Sequence, residues 1–201
     1  PESWNHRWRI SNLCIFQEKH RRCGVATALM EKMLETADDA TKLTLIEQQV
    51  GDAAQVVVDI LSRYLFESEV VDRRKERSLS PRELCEIMLD AQRQTYGDGL
   101  DPDCMHPYMW ACKSHYYDTD VHFYNFPYAF GLLFGLGVFA RYQRDGEAFL
   151  PEYDRLLRST GSGNVREVAA GVGIDVTDRE FWRSSVRVLA DKVDQLEKLL
   201  G

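Results

Sequence analysis

No HExxH occurs in this chain, and no CxxC, GxSxG, P-loop or GxGxxG pattern either. A catalytic zinc takes three protein ligands and keeps one position open, so the missing HExxH excludes a self-contained thermolysin-like centre. The other gaps remove the α/β-hydrolase nucleophile elbow and the common nucleotide cradles. Cysteine is sparse and odd in number, with five residues (Cys14, Cys23, Cys85, Cys104 and Cys112) scattered along the chain. Neither a zinc ribbon nor a thioredoxin motif fits that spacing, and reduced thiols in a cytoplasmic protein are expected. Basic charge is also short: Lys and Arg number 25 against 32 Asp and Glu, a net charge of −7. That balance argues against a nucleic-acid partner, because a broad phosphate-binding surface needs excess cations. The runs Arg21-Arg22 and Arg73-Arg74-Lys75 are short and read as solvated helical faces.

Charge is missing altogether from Val121 to Ala140, which is long enough to be weighed as a membrane span. Its first half, however, contains His122, Tyr124, Asn125, Pro127 and Tyr128, and no Lys/Arg asymmetry flanks it. A helix buried on all sides within a globular protein is the expectation, with no membrane partner.

What is present is helical periodicity. Apolar residues recur at three- and four-residue spacing from Leu43 to Val71. The β-branched run Gln55-Val56-Val57-Val58 sits inside that period. Ser80-Pro81-Arg82-Glu83 reads as a capping box with Pro at the first helical position, opening a helix through about Tyr96 that Gly97 ends. Residues 97–107 form a turn-rich loop, followed by an aromatic segment from Tyr108 to Tyr117. A long apolar helix is expected from Phe123 to Tyr142, with Gly131, Gly135 and Gly137 permitting close approach of another helix. Gly146 breaks it, and Glu147 to Leu157 is a short helix. Asn164 caps Val165 to Ala170, and Thr177-Asp178-Arg179-Glu180 reads as a second capping box for a final amphipathic helix to about Leu200. No segment reads as a strand, and the fold class is all-α. Residues 1–23 show little periodic pattern and stay unassigned; residues 24–201 form the helical domain.

One dense polar-aromatic cluster stands out: His106, Tyr108, Trp110, His115, Tyr116, Tyr117, His122, Tyr124 and Tyr128. Imidazole and phenol groups are donors able to stabilise an oxyanion in acyl transfer. Tyr124 and Tyr128, four apart, share a helical face. His115 joins them if a loop folds it back over the helix start. An aromatic core with satisfied hydroxyls is the alternative reading.

Two runs carry a resemblance: Asp101-Pro-Asp-Cys-Met-His-Pro-Tyr-Met-Trp-Ala111 and His115-Tyr-Tyr-Asp-Thr-Asp-Val-His-Phe-Tyr-Asn-Phe-Pro-Tyr-Ala-Phe-Gly131. Supporting stretches are Asp52 to Asp59, Phe66 to Glu69, Tyr96 to Leu100, and Ser159-Thr-Gly161 running into Gly173-Ile-Asp175. Together, over roughly residues 30–200, they resemble the C-terminal part of oligoendopeptidase F, a bacterial relative of thimet oligopeptidase. The resemblance implies the multi-helical C-terminal lobe of a thermolysin-like (gluzincin) oligopeptidase that cuts short peptides in a deep channel. In the complete family enzyme, zinc is held by HExxH and a later glutamate. A later histidine and tyrosines polarise the substrate carbonyl; the positions matching them are His115 and Tyr124, with Tyr128 beside them. His106, Tyr117 and His122 are assigned to substrate binding, and no metal ligand is assigned. Glu18 lies near the place of the glutamate ligand, in surroundings that do not match.

The chain is therefore expected to lack zinc and to be inactive alone, with short peptides as ligands. The missing N-terminal half or a second copy would then be its protein partner. A non-catalytic peptide-binding or oligomeric scaffold is the alternative. The start at Pro1 rather than Met, and the change from an unmatched to a matching stretch, lead to the expectation of a partial chain or a frameshifted or misassigned gene start.

Overall fold

The computed structural model describes residues 38–201. The expectations for residues 1–23, for Glu18, and for Cys14 and Cys23 lie outside them. The described residues hold helices, short 3₁₀ turns and loops, and no strand among them.

The periodic N-terminal stretch is one long helical rod. Helix α1, Asp39–Ala54, continues without a break through a π-helical turn, Gln55–Asp59, into α2, Ile60–Arg74. The β-branched run anticipated above is that π turn, where the backbone takes one extra residue per turn. Helix α3, Pro81–Tyr96, begins with the expected capping box. Ser80 Oγ accepts from the Glu83 amide at 3.3 Å, and the Ser80 amide donates to Glu83 Oε2 at 2.9 Å. Gly97, at φ 56°, ends the helix in a conformation that side chains disfavour. The runs Arg73 to Lys75 are solvated as expected, Arg73 pairing with Glu69 and Lys75 with Asp72.

Helices α2 and α3 pack on Phe66, Ile87, Met88 and Ala91, with Met109, Trp110 and Tyr116 of the following segment laid against them. That segment is three 3₁₀ turns, Pro102–Cys104, Met109–Cys112 and Ser114–Tyr117. A fully buried glutamine pins its start: Gln92 Nε2 donates to the His106 carbonyl at 3.0 Å, and the His106 amide donates to Gln92 Oε1 at 3.1 Å. The pairing gives both polar atoms of a side chain closed to water their partners.

The apolar helix, α4, runs Phe126–Asp145, starting three residues later than the expected Phe123. Phe123 instead takes a left-handed φ of 51° and donates its amide to Glu67 Oε1 of α2 at 2.7 Å. The turn into α4 is thereby tied to α2 and cannot be helical. The expectation of burial on all sides is also corrected. Within α4 only Gly137 and Val138 are buried, while Phe126, Tyr128 and Phe139 are exposed. No helix among the described residues is long and apolar enough to cross a membrane.

A 3₁₀ turn, Gly146–Phe149, leads into α5, Leu150–Ser159, in place of one helix from Glu147. Then come α6, Val165–Ala170, and α7, Arg179–Leu200. Asn164 caps α6 as expected, in a reciprocal box with Glu167. At α7 the cap is Asp178, whose side chain accepts from the Glu180 amide at 2.9 Å. Thr177 is not the cap because it is already engaged, its amide and hydroxyl both bonded to Asp175 Oδ1. Helices α4 to α7 enclose Val138, Phe149, Leu156, Ala169, Val172 and Ile174. Of the three glycines expected at a helix contact, Gly137 makes one: a Cβ there would fall 2.5 Å from Phe181 Cζ. Gly131 and Gly135 meet no neighbour within 4 Å among the described residues.

Residues 46–201 form one compact unit; in the other, Pro1–Leu45, the described part is residues 38–45, the start of α1. The three described cysteines, Cys85, Cys104 and Cys112, are free thiols.

Candidate functional site

The π turn, the start of α2, the third 3₁₀ turn and the start of α4 surround a cleft of about 430 Å³. Asp59, Arg63, Lys113, His115, Tyr124, Asn125 and Tyr128 line it. The three residues assigned to carbonyl polarisation, His115, Tyr124 and Tyr128, thus meet on one wall. The loop after Tyr117 does fold His115 back over the helix start.

Tyr124 and Tyr128 are about half exposed, with rings 5.6 Å apart edge to face. The Tyr128 hydroxyl donates to the Tyr124 oxygen at 2.8 Å. Because its proton is committed there, Tyr128 is harder to ionise than an ordinary phenol. Among the described residues the Tyr124 hydroxyl makes no other hydrogen bond. The His115 ring lies 5.5 Å from that of Tyr124 and 4.3 Å from that of Tyr116.

His115 is half-buried, and burial is the main reason its imidazole is harder to protonate than usual. Glu67 opposes that effect, while Arg63 and Lys113 add to it. Tyr116, whose ring stacks on the core at Phe66, is pushed well above the ordinary phenol range by burial and then by Glu67. Its hydroxyl donates to the Arg63 carbonyl at 3.4 Å.

Behind His115 lies a polar chain that the sequence analysis did not assign. Asn125 is 4% exposed; its Nδ2 contacts His115 Nε2 at 2.7 Å, and its Oδ1 accepts from Arg63 Nη1 at 3.3 Å. Arg63 forms an ion pair with Asp59 one helical turn earlier, and the Tyr96 hydroxyl donates to Asp59 Oδ1 at 3.1 Å. Burial, followed by the Asp59 charge, pushes the Tyr96 phenol up to about 12. The π turn ends at Asp59. Two signals in the sequence point to this chain: a charged pair at i, i+4 inside an apolar helical stretch, and an asparagine within a charge-free run.

The three residues assigned to substrate binding are placed differently. His106, Tyr117 and His122 are exposed and none of them lines the cleft. The His106 ring accepts from the Tyr108 amide at 3.2 Å through Nδ1.

The donor set does not fit the zinc that the resemblance implies. No group of three or more His, Cys, Asp or Glu comes together among the described residues. The carboxylates nearby are already engaged: Glu67, which acts on His115, accepts the Phe123 amide at 2.7 Å, and Asp59 is shared between Arg63 and Tyr96.

The chain is similar to the Oligopeptidase PepF of Bacillus subtilis (strain 168), at 24% identity over 122 residues, which is 61% of this chain and 18% of that protein. The match thus spans less than a fifth of the relative's length. No family model matches the chain, and no solved structure matches it.

Proposed function

We propose that this chain is a C-terminal part of an oligoendopeptidase F-type zinc metallopeptidase, contributing the wall that faces the scissile carbonyl of a short peptide. The observation that carries the reading is the meeting of His115, Tyr124 and Tyr128 on one cleft, with the Tyr128 hydroxyl 2.8 Å from that of Tyr124. The similarity to an oligopeptidase supports it independently. In this reading Tyr124 donates its phenolic proton toward the carbonyl oxygen, and Tyr128 holds that phenol by donating to its oxygen. His115 supplies a second donor from beside Tyr124, the two rings 5.5 Å apart. Such donors act on charge developing in the transition state. The zinc and the water it activates belong to parts of the enzyme outside the described residues, so the chain alone is inactive or very slow. His106, Tyr117 and His122 enter as contacts for peptide residues that extend beyond the cleft. Reduced thiols and a cytoplasmic location go with this reading, as does assembly with a missing N-terminal half or a second copy.

Hydrolysis of a quenched fluorescent peptide mixture, with added zinc and then with a chelator, tests the catalytic part. No chelator-sensitive cleavage by the chain alone is expected; robust chelator-sensitive cleavage would overturn it. Calorimetry with the same peptides tests the wall itself. Saturable binding, weakened several-fold by Tyr124→Phe, is expected, and no binding would remove the peptide-facing role.

A second reading, a non-catalytic peptide-binding or oligomeric scaffold, is favoured by the exposure of the large aromatic side chains Tyr108, Tyr117 and Phe126. It predicts binding that Tyr124→Phe leaves unchanged, because shape and apolar area would then provide the affinity.

A further inference from the structure

We infer that Asn125 is a positioning residue for His115: its side-chain amide, oriented by Arg63, holds the imidazole as the neutral tautomer with the proton on Nδ1. His115 matters because it is read above as a donor facing a peptide carbonyl, and Asn125 deepens that reading by deciding which ring nitrogen can donate.

The case rests on the one-way chemistry of the groups involved. A guanidinium has five N–H donors and no acceptor. The Asn125 atom facing Arg63 Nη1 at 3.3 Å must therefore be the carbonyl oxygen, and the amide nitrogen must face His115. An amide NH₂ only donates, so His115 Nε2, 2.7 Å away, must carry a lone pair. The proton of the neutral ring is then on Nδ1. Turning the amide over would set donor against donor at Arg63 inside a site where Asn125 is 4% exposed.

Arg63 is itself held. Its other terminal nitrogen pairs with Asp59, which also accepts from Tyr96 at 3.1 Å. Every bond from Tyr96 and Arg63 through Asn125 to His115 has a single permitted donor direction. In histidines generally, the hydrogen bond made by one ring nitrogen sets which nitrogen carries the proton. Among the described residues Nδ1 of His115 makes no hydrogen bond, so its N–H is the one left for a ligand.

The charged groups around the ring are Glu67 and Arg63 on α2, Lys113 on the adjoining turn, and Asp59 on the π turn, with Tyr116 and Tyr124 as the titratable ring neighbours. Glu67, which favours an imidazolium, accepts the Phe123 amide at 2.7 Å, and Asp59 is engaged by Arg63 and Tyr96.

The test is nitrogen and carbon NMR of the His115 ring in the whole chain between about pH 5 and 8, assigned by the signals lost in His115→Gln. The Nδ1–H tautomer is expected at neutral pH. In Asn125→Asp the new carboxylate accepts rather than donates, so the proton should move to Nε2 and the apparent pKa should rise by about one unit or more. Arg63→Gln can both donate and accept; it should release the amide and yield a mixture of tautomers. If Asn125→Asp does not fold, Arg63→Gln decides the matter, with folding of each checked by circular dichroism. An Nε2–H tautomer or an imidazolium at neutral pH in the wild type would overturn the inference. So would an unchanged tautomer in every folded variant. Short peptides added to the wild type separate the two readings. An Nδ1–H tautomer whose shifts do not move with peptide upholds Asn125 and sinks the peptide-facing role. Shifts that move on an Nε2–H ring would do the reverse.

Discussion

The two halves of α4 belong to regions built on different terms. Its C-terminal half lies in an apolar cluster where Phe149, Ala169, Val172 and Ile174 are at most 3% exposed and Gly137 lets α7 approach. The charge at the edge of that cluster is fully engaged. Arg141 bonds the Val172 carbonyl and Glu152, each at 2.6 Å, and lies over the Phe149 ring at 4.8 Å. The N-terminal half opens the cleft, and local departures from ideal structure gather around it: a π turn, a left-handed Phe123, and a buried Arg63 Nε with no hydrogen-bond partner among the described residues. Each such departure costs stability, so it persists only when surrounding structure enforces it. Their concentration around His115 sets the cleft apart from the packed cluster, which has none of them among the described residues.

The contrast can be broken from either side. Phe149→Ala should cost about 3–5 kcal/mol in urea unfolding, since it removes both the cluster's most enclosed ring and the Arg141 contact. Gln92→Leu should cost less, about 1–3 kcal/mol, because the His106 amide and carbonyl lose their partners. Unlike the core change, it should also disturb the His115 ring signals, because Gln92 pins the start of the loop carrying that histidine. Ser80→Ala, which removes the α3 cap far from both regions, should cost about 1 kcal/mol and leave the ring signals alone.

The pH dependence of stability sharpens the comparison further. The His115 imidazole takes up a proton less readily folded than unfolded, so the unfolded state binds more protons just below 6.5. Stability from this group should be constant above that pH and decline as pH falls through it, and His115→Gln should abolish the decline in urea titrations. The smallest effect is expected for Tyr128→Phe. The side chain is half exposed, so stability should change by less than about 0.5 kcal/mol while peptide affinity falls.

The helices were legible wherever capping chemistry was local. Ser80 with Glu83, the Asn164 cap, and Gly97 all act within a few residues of their own position, and each stands where the pattern placed it. The α7 cap moved by one residue because Asp175, just upstream, competes for Thr177. Grouping His115 with Tyr124 and Tyr128 came from their chemistry together with the family resemblance; Tyr124 lies in the turn before α4, so the expected shared helical face does not account for their meeting. Asn125, Arg63 and Asp59 escaped notice because their meaning depends on contacts across α2 and α4, 62 residues apart in the case of Arg63 and Asn125.

From sequence alone follow the all-α class, most helix limits, and the absence of a complete HExxH centre on this chain, because periodicity, caps and ligand motifs are properties of short segments. Tertiary structure alone decided that Glu67 twists Phe123 out of the helix and that α4 exposes one face. It alone decided, too, that an arginine turns an asparagine amide toward His115. Those outcomes depend on which polar group finds which partner when distant segments pack, and no local pattern contains that information.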